Sequence, residues 1–266
     1  MADTTLAQVL EARKQDAQGH HFAFCENWAQ GRTAFGGYTA ALLLATARAD
    51  WPDLPPLRSA LINFTGPVSA GPVITSEVLR QGRNVSTIAT RAMVEGKVAA
   101  TGTFSFGAAQ DSHVQITCPA PRAASPEDTP HFFPEGLPRL PARFFENFEA
   151  KRIEGDLPFM GAERGVMRAW ARHRDPASWD KLEGLMAIAD LLPPAVFPVC
   201  RKPGPNSSMT WICNFLTDQP QTRDGWWHVS TELTAAQNGY SSQVMRIWNT
   251  EGELVVEGMQ SVIIFM

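Results

Sequence analysis

The chain has 266 residues, 44% of them hydrophobic and 19% charged, enough apolar side chain for a sizeable core and too much for a disordered polymer. Its formal net charge of -4 lacks the basic excess that phosphate-backbone binding needs, so no nucleic-acid partner is expected. The longest apolar runs, such as residues 40–45 and 262–266, fall far short of the roughly 18 residues of a spanning helix, and no membrane partner is expected either.

In chain order, residues 1–5 show neither the basic start nor the apolar stretch of a signal peptide, which favours a cytoplasmic protein. Apolar Leu6, Val9 and Leu10 make residues 5–17 a modest amphipathic helix. An extended stretch at 21–28 follows, punctuated afterwards by Gly31, Gly36 and Gly37. Residues 38–49, rich in Ala and Leu and free of Pro, read as a buried helix. The texture then turns to β, with strands at 61–65, 73–79, 86–94 and 98–106 separated by turn signals at Gly71-Pro72, Gly82-Arg83-Asn84 and Glu95-Gly96. Seven prolines between 119 and 141 make 111–142 a crossover linker. Beyond it come strand segments at 144–153 and 165–170 and a helix at 179–192 stopped by Pro193-Pro194. Four more strands follow, at 209–216, 226–235, 241–249 and 254–265.

Helix followed by meander therefore occurs twice. Asn63-Phe64 returns as Asn214-Phe215, and the stretch from Glu95-Gly96 to Gly102 returns as that from Glu251-Gly252 to Gly258, in the same order. This indicates a duplication, with repeats at 1–110 and 143–266. Each repeat would be an antiparallel sheet wrapped around one central helix, an α+β architecture. The four cysteines, Cys25, Cys118, Cys200 and Cys213, contain no C-x-x-C pair and are expected to be reduced; the six histidines contain no H-E-x-x-H. No metal and no cofactor is expected.

Aligning the repeats exposes polar residues where the other half is apolar, and a polar group on a buried face is costly unless partnered. Gln260 interrupts the apolar row Leu254, Val256, Gly258, Val262 and falls opposite Phe104; Ser208 falls opposite Leu57; Asp190, in a helix aligned on Gly184 and Gly37, falls opposite Leu43. Each has a plainer reading: an edge-facing amide, a turn residue, and a carboxylate poorly placed at a helix C-terminus.

The glycine pair Gly36-Gly37, Arg80-Gln81-Gly82-Arg83-Asn84, Glu95-Gly96, Ala189-Asp190, Asn206-Ser207-Ser208-Met209 and Gly258-Met259-Gln260 together resemble the acyl-CoA thioesterase II family, over nearly the whole chain. The resemblance implies a double hotdog fold and hydrolysis of an acyl-CoA to free acid and CoA. It implies that Asp190, Ser208 and Gln260 hold the attacking water, with Ser208 standing where the family's best-known members carry Thr. It further suggests a homodimer or larger homo-oligomer. The chemistry fits these residue types: a carboxylate accepts the proton of water while an amide and a hydroxyl orient it. Backbone N–H groups at Gly36 and Gly37 could stabilise the oxyanion, or the two glycines could serve close helix packing alone. Arg80 and Arg83 could meet the CoA phosphates, or be solvated hairpin charges. There is no G-x-S-x-G elbow, which favours attack by water over a covalent acyl-enzyme. The alternatives are a non-catalytic acyl-binding protein and a hotdog hydratase, the latter disfavoured because no His falls at a matched position.

Overall fold

Thr5 starts helix α1 (Leu6–Glu11) with a capping box: its hydroxyl accepts from the Gln8 N–H, and its own N–H donates to the Gln8 side chain. The computed structural model describes residues 3–134 and 142–265, so Met1, Ala2, Met266 and residues 135–141 of the expected crossover lie outside the described residues. The first helix is shorter than the expected 5–17. The Asp16 carboxylate accepts from the Gln18 N–H, a local turn that folds β1 (Lys14–Asp16) back on β2 (Gly19–His21). A small ladder of β3 (Ala29–Gln30) and β4 (Thr33–Ala34) then leads into α2 (Gly36–Asp50).

Helix α2 is buried continuously from Gly37 to Ala47, so it is apolar on every side rather than amphipathic. It starts two residues before the expected position, which puts both Gly36 and Gly37 in its first turn. The first meander is β5 (Leu57–Phe64), β6 (Val73–Gln81), β7 (Val85–Val94) and β8 (Lys97–Gly107). After the crossover, residues 143–147 form a 3-10 turn where a strand was expected, and β9 (Phe148–Glu154) and β10 (Val166–His173) follow. The second central helix is α3 (Leu182–Ile188), shorter than the expected 179–192 because Asp175 caps a separate 3-10 turn at Pro176–Ser178 and the helix ends at Ala189. Strands β11 (Asn206–Phe215), β12 (Trp227–Gln237), β13 (Tyr240–Trp248) and β14 (Leu254–Ile264) complete the chain.

Among the described residues, twelve strands form one antiparallel sheet in the order β1-β2-β6-β7-β8-β5-β11-β14-β13-β12-β10-β9. The order is a palindrome about the β5–β11 seam, where Ile62 faces Trp211 and Ala60 faces Cys213. The duplication extends to irregularities. Leu57 pairs with Phe106 before a bulge that resumes at Ser59, and Ser208 pairs with Val262 before a bulge that resumes at Thr210. Bulges also recur between Val78 and Arg80 and between Leu233 and Ala235. The two halves are thus the double hotdog expected from the sequence, with α2 packed on β6, β7 and β8 and α3 packed on α2 and β10.

The helices run antiparallel against each other: Gly37 of α2 lies against Ala187 of α3, while Arg48 Nη1 donates to Glu183 Oε1 at 2.7 Å at the opposite end. The described part of the crossover is fastened to the second half. The indoles of Trp248 and Trp170 donate to the carbonyls of Cys118 and Ala124 at 2.7 and 2.9 Å, and the Phe132 N–H donates to the Ala150 carbonyl. Among the described residues, no helix is long and apolar enough to cross a membrane.

Candidate active site

Asp190 is the first residue past the C-cap of α3, and the antiparallel packing brings it to the N-terminus of α2. A Cβ on Gly36 would fall 2.5 Å from Asp190 Oδ2, and one on Gly37 would collide with the Ala187 carbonyl. The glycine pair therefore permits an approach that no other residue could. Leu43, set against Asp190 by the sequence alignment, lies in mid-helix, because α2 runs to Asp50 while α3 ends at Ile188.

Strand β14 supplies the second group. Its buried face runs through Val256, Gly258, Gln260, Val262 and Ile264, as period-2 alternation requires. Gln260 Nε2 donates to Asp190 Oδ1 at 2.7 Å and to Ser208 Oγ at 3.0 Å. Ser208 joins through the bulge in β11. Trp211, Cys213 and Phe215 are the buried residues of that strand, so unbroken alternation would turn Ser208 outward. The extra residue between Ser208 and Thr210 restores it to the face of its partner Val262, beside Gln260. Asp190, Ser208, Gln260 and the Gly36-Gly37 turn are thus brought together.

Arg80 and Arg83 are not. They sit at the β6–β7 hairpin, at the end of the sheet where Ser86, Phe106 and Leu57 pair in a row. The Ser208 end of the seam is marked by Asn63 opposite Thr210, six residues further along β5, or about 20 Å at strand rise.

The sequence reading missed Gln243. It is 1% exposed on β13, directly opposite Gln260, and its Nε2 donates to Gln260 Oε1 at 2.7 Å. Its own Oε1 accepts from the Ala195 N–H at 2.6 Å. A signal existed: the registers make Gln243 the counterpart of Ile88, which faces Phe104 as Gln243 faces Gln260.

Electrostatically, Asp190 keeps partial solvent access, but the protein packed round its carboxyl penalises charge and raises its pKa to about 7. Hydrogen bonding from Gln260 and then from the Gly37 N–H acts the other way, as does the positive end of α2. The buried thiol of Cys213 is pushed well above its usual pKa by burial and then by the Asp190 charge, which keeps it protonated and a poor nucleophile. The cluster can hold a proton near neutrality, and it offers one hydroxyl and one oriented amide beside it.

The fold is shared widely. A hot dog fold protein of unknown function from Alicyclobacillus acidocaldarius superimposes with a TM-score of 0.86 at 22% identity, covering 99% of each chain. An acyl-CoA thioesterase II from Mycobacterium marinum gives 0.74 at 20% identity over 97% of this chain and 98% of that one. The TesB protein of Mycobacterium avium subspecies paratuberculosis gives 0.76 at 18% over 98% of both. No curated protein matches the sequence. Residues 24–107 match the acyl-CoA thioesterase N-terminal domain and residues 119–264 the acyl-CoA thioesterase C-terminal domain. The chain therefore belongs to the acyl-CoA thioesterase family.

Proposed function

We propose that this protein hydrolyses the thioester of a fatty or related acyl-CoA, using water as nucleophile and Asp190 as base. The observation that carries the reading is the convergence of Asp190, Ser208 and Gln260 into one hydrogen-bonded cluster at the N-terminus of α2. Asp190 takes a proton from water as the oxygen adds to the thioester carbonyl carbon; Ser208 holds that water in line, and Gln260 orients it by fixing both the Ser208 hydroxyl and the Asp190 carboxylate. The tetrahedral oxyanion develops near the positive end of α2 at Gly36-Gly37. Its collapse breaks the C–S bond, and the proton on Asp190 passes to the departing thiolate, giving free acid and CoA. A base with a pKa of about 7 is matched to this task at neutral pH.

The same cluster argues against a covalent route. Cys213 is held as a thiol, and Ser208 Oγ accepts from an amide rather than donating to an imidazole. Three buried histidines stand apart: His20 pairs with Asp50 at 2.7 Å, at the end of α2 opposite Gly36-Gly37; His173 bonds the Gly184 carbonyl; and His228 lies tilted between Trp170 and Trp248. A hydratase reading finds no support in the cluster, which none of the three joins.

The test is thiol release from short, medium, long and aromatic acyl-CoAs by wild type and Asp190→Asn. Wild type should turn over at least part of the panel, and the variant should lose roughly 10²-fold or more. Folded wild type inert on every member would replace hydrolysis with acyl binding. Full activity in Asp190→Asn would remove the carboxylate from the mechanism.

A further inference from the structure

The two ends of a glutamine amide have nearly the same size and shape, so packing alone cannot set which end faces a neighbour; hydrogen-bond partners must. At Gln260 the choice matters. With Nε2 toward Asp190 the amide donates to the carboxylate and to Ser208, whereas with Oε1 there it would repel the charge and leave Ser208 without that donor. Asp190 cannot enforce the choice on its own, because a carboxyl with a pKa near neutrality spends part of its time as a donor.

The polarity is imposed from the far side. The Ala195 N–H is a main-chain donor and has no alternative role; it follows Pro193-Pro194, which have no N–H, and lies fully buried. It donates to Gln243 Oε1 at 2.6 Å. Gln243 must therefore present Nε2 to its cross-strand partner, and it donates to Gln260 Oε1 at 2.7 Å. Gln260 is left with Nε2 pointing at Asp190 Oδ1 and Ser208 Oγ. One backbone N–H thus sets the direction of two amides in series. In the first half, the positions of Gln243 and Gln260 are filled by Ile88 and Phe104, so nothing in the fold itself calls for this chain.

We propose that Gln243 is a positioning residue that locks the Gln260 amide in the orientation that donates to both Ser208 and Asp190, fixing the hydroxyl that holds the water and keeping Asp190 ionisable as the base. The proposal rests on the reading of Asp190 as that base, and it adds a residue that touches neither substrate nor water.

The experiment compares wild type, Gln243→Met, Gln243→Glu, Gln260→Met and the Gln243→Met/Gln260→Met double variant, with folding followed by thermal melts. Methionine keeps the length and removes the hydrogen bonds. The expected result for Gln243→Met is a fall in kcat of roughly 10- to 100-fold with KM within about threefold, and an acidic limb moved to higher pH because a turned amide sets oxygen against the carboxylate. In the Gln260→Met background the same substitution should change kcat by less than about twofold, since its effect passes through Gln260. Should the Met variant not fold, isosteric Gln243→Glu carries the test: its carboxylate accepts from Gln260 Nε2, reverses the amide and should move the limb further. A folded Gln243 variant with kcat, KM and limb all near wild type overturns the proposal, as do losses that simply add in the double variant. Full turnover in Asp190→Asn instead overturns the reading beneath it. The Asp190 carboxyl titration, followed by 13C NMR, then still decides the role of Gln243: upward movement in Gln243→Met supports it, and an unchanged midpoint rejects it.

Discussion

The two four-stranded meanders repeat the same registers and bulges, yet only the second carries the polar cluster. Leu57, Ile88 and Phe104 line the first half where Ser208, Gln243 and Gln260 stand in the second, and both sets are carried by equivalent strands. A hydrocarbon triplet is stable without help. The polar triplet is tolerable only because every member has a partner, ending at the Ala195 N–H on one side and the Asp190 carboxylate on the other. The comparison teaches that the duplicated fold supplies two equivalent positions and that a buried polar set needs a complete hydrogen-bond chain, which the loop after α3 provides.

The comparison can be broken from either side. The largest effect is expected from Phe104→Gln, which puts the second half's residue in the first without its partners. Loss of a fully buried ring and burial of an unpaired amide should cost roughly 3–5 kcal/mol in denaturant unfolding, with activity per folded molecule unchanged. A neutral result would mean that the first half can satisfy an amide after all. The reverse change, Gln260→Met, should lower kcat roughly 10²-fold, about 2.7 kcal/mol of barrier, and raise the acidic limb of the rate profile.

The pH dependence sharpens the contrast next. A folded-state pKa of about 7 for Asp190, against 3.8 when unfolded, means that the native protein holds more protons across that window. This contribution to stability is therefore present below about pH 4 and lost as pH rises to about 7. His173 and His228 act oppositely. Each is lowered to about 4 by burial, so their contribution is present above 6.5 and lost as pH falls toward 4. Asp190→Asn should consequently raise the melting temperature at pH 8 and steepen the loss of stability on acidification from 6.5 to 4. Catalysis by wild type should fall tenfold per unit below about pH 7. The smallest effect belongs to Ser208: removing the hydroxyl in Ser208→Ala should cost roughly tenfold in kcat, while Ser208→Thr keeps it and should stay within about threefold.

Much of this was legible without the structure, because it depends on neighbours in sequence. The apolar composition of α2 announces burial on all sides, and the alternation of residues 256–264 sorts β14 into two faces. Asn238-Gly239, both at positive φ, is the tight hairpin turn that dipeptide favours. Repetition of such local signals disclosed the duplication, and contrast between the repeats singled out Ser208 and Gln260. The same contrast, carried one strand further, would have disclosed Gln243. Asp190 was found although its alignment was not reproduced, because a carboxylate among Ala, Ile and Leu is conspicuous in any register.

What the chain by itself determined, then, was the two central helices, the two four-stranded meanders, and Asp190, Ser208 and Gln260 as candidates, without Gln243. Tertiary structure alone decided three things. A bulge, which exists only as a count of residues against a partner strand, turned Ser208 inward. Antiparallel packing of α2 on α3 set the carboxylate of Asp190 against glycines some 150 residues away in sequence. The direction of the Gln260 amide came from a backbone N–H in a loop, through a second glutamine on a neighbouring strand. Periodicity reports which face a side chain occupies; it carries no information about who donates to whom across that face, and the chemistry proposed here depends on that.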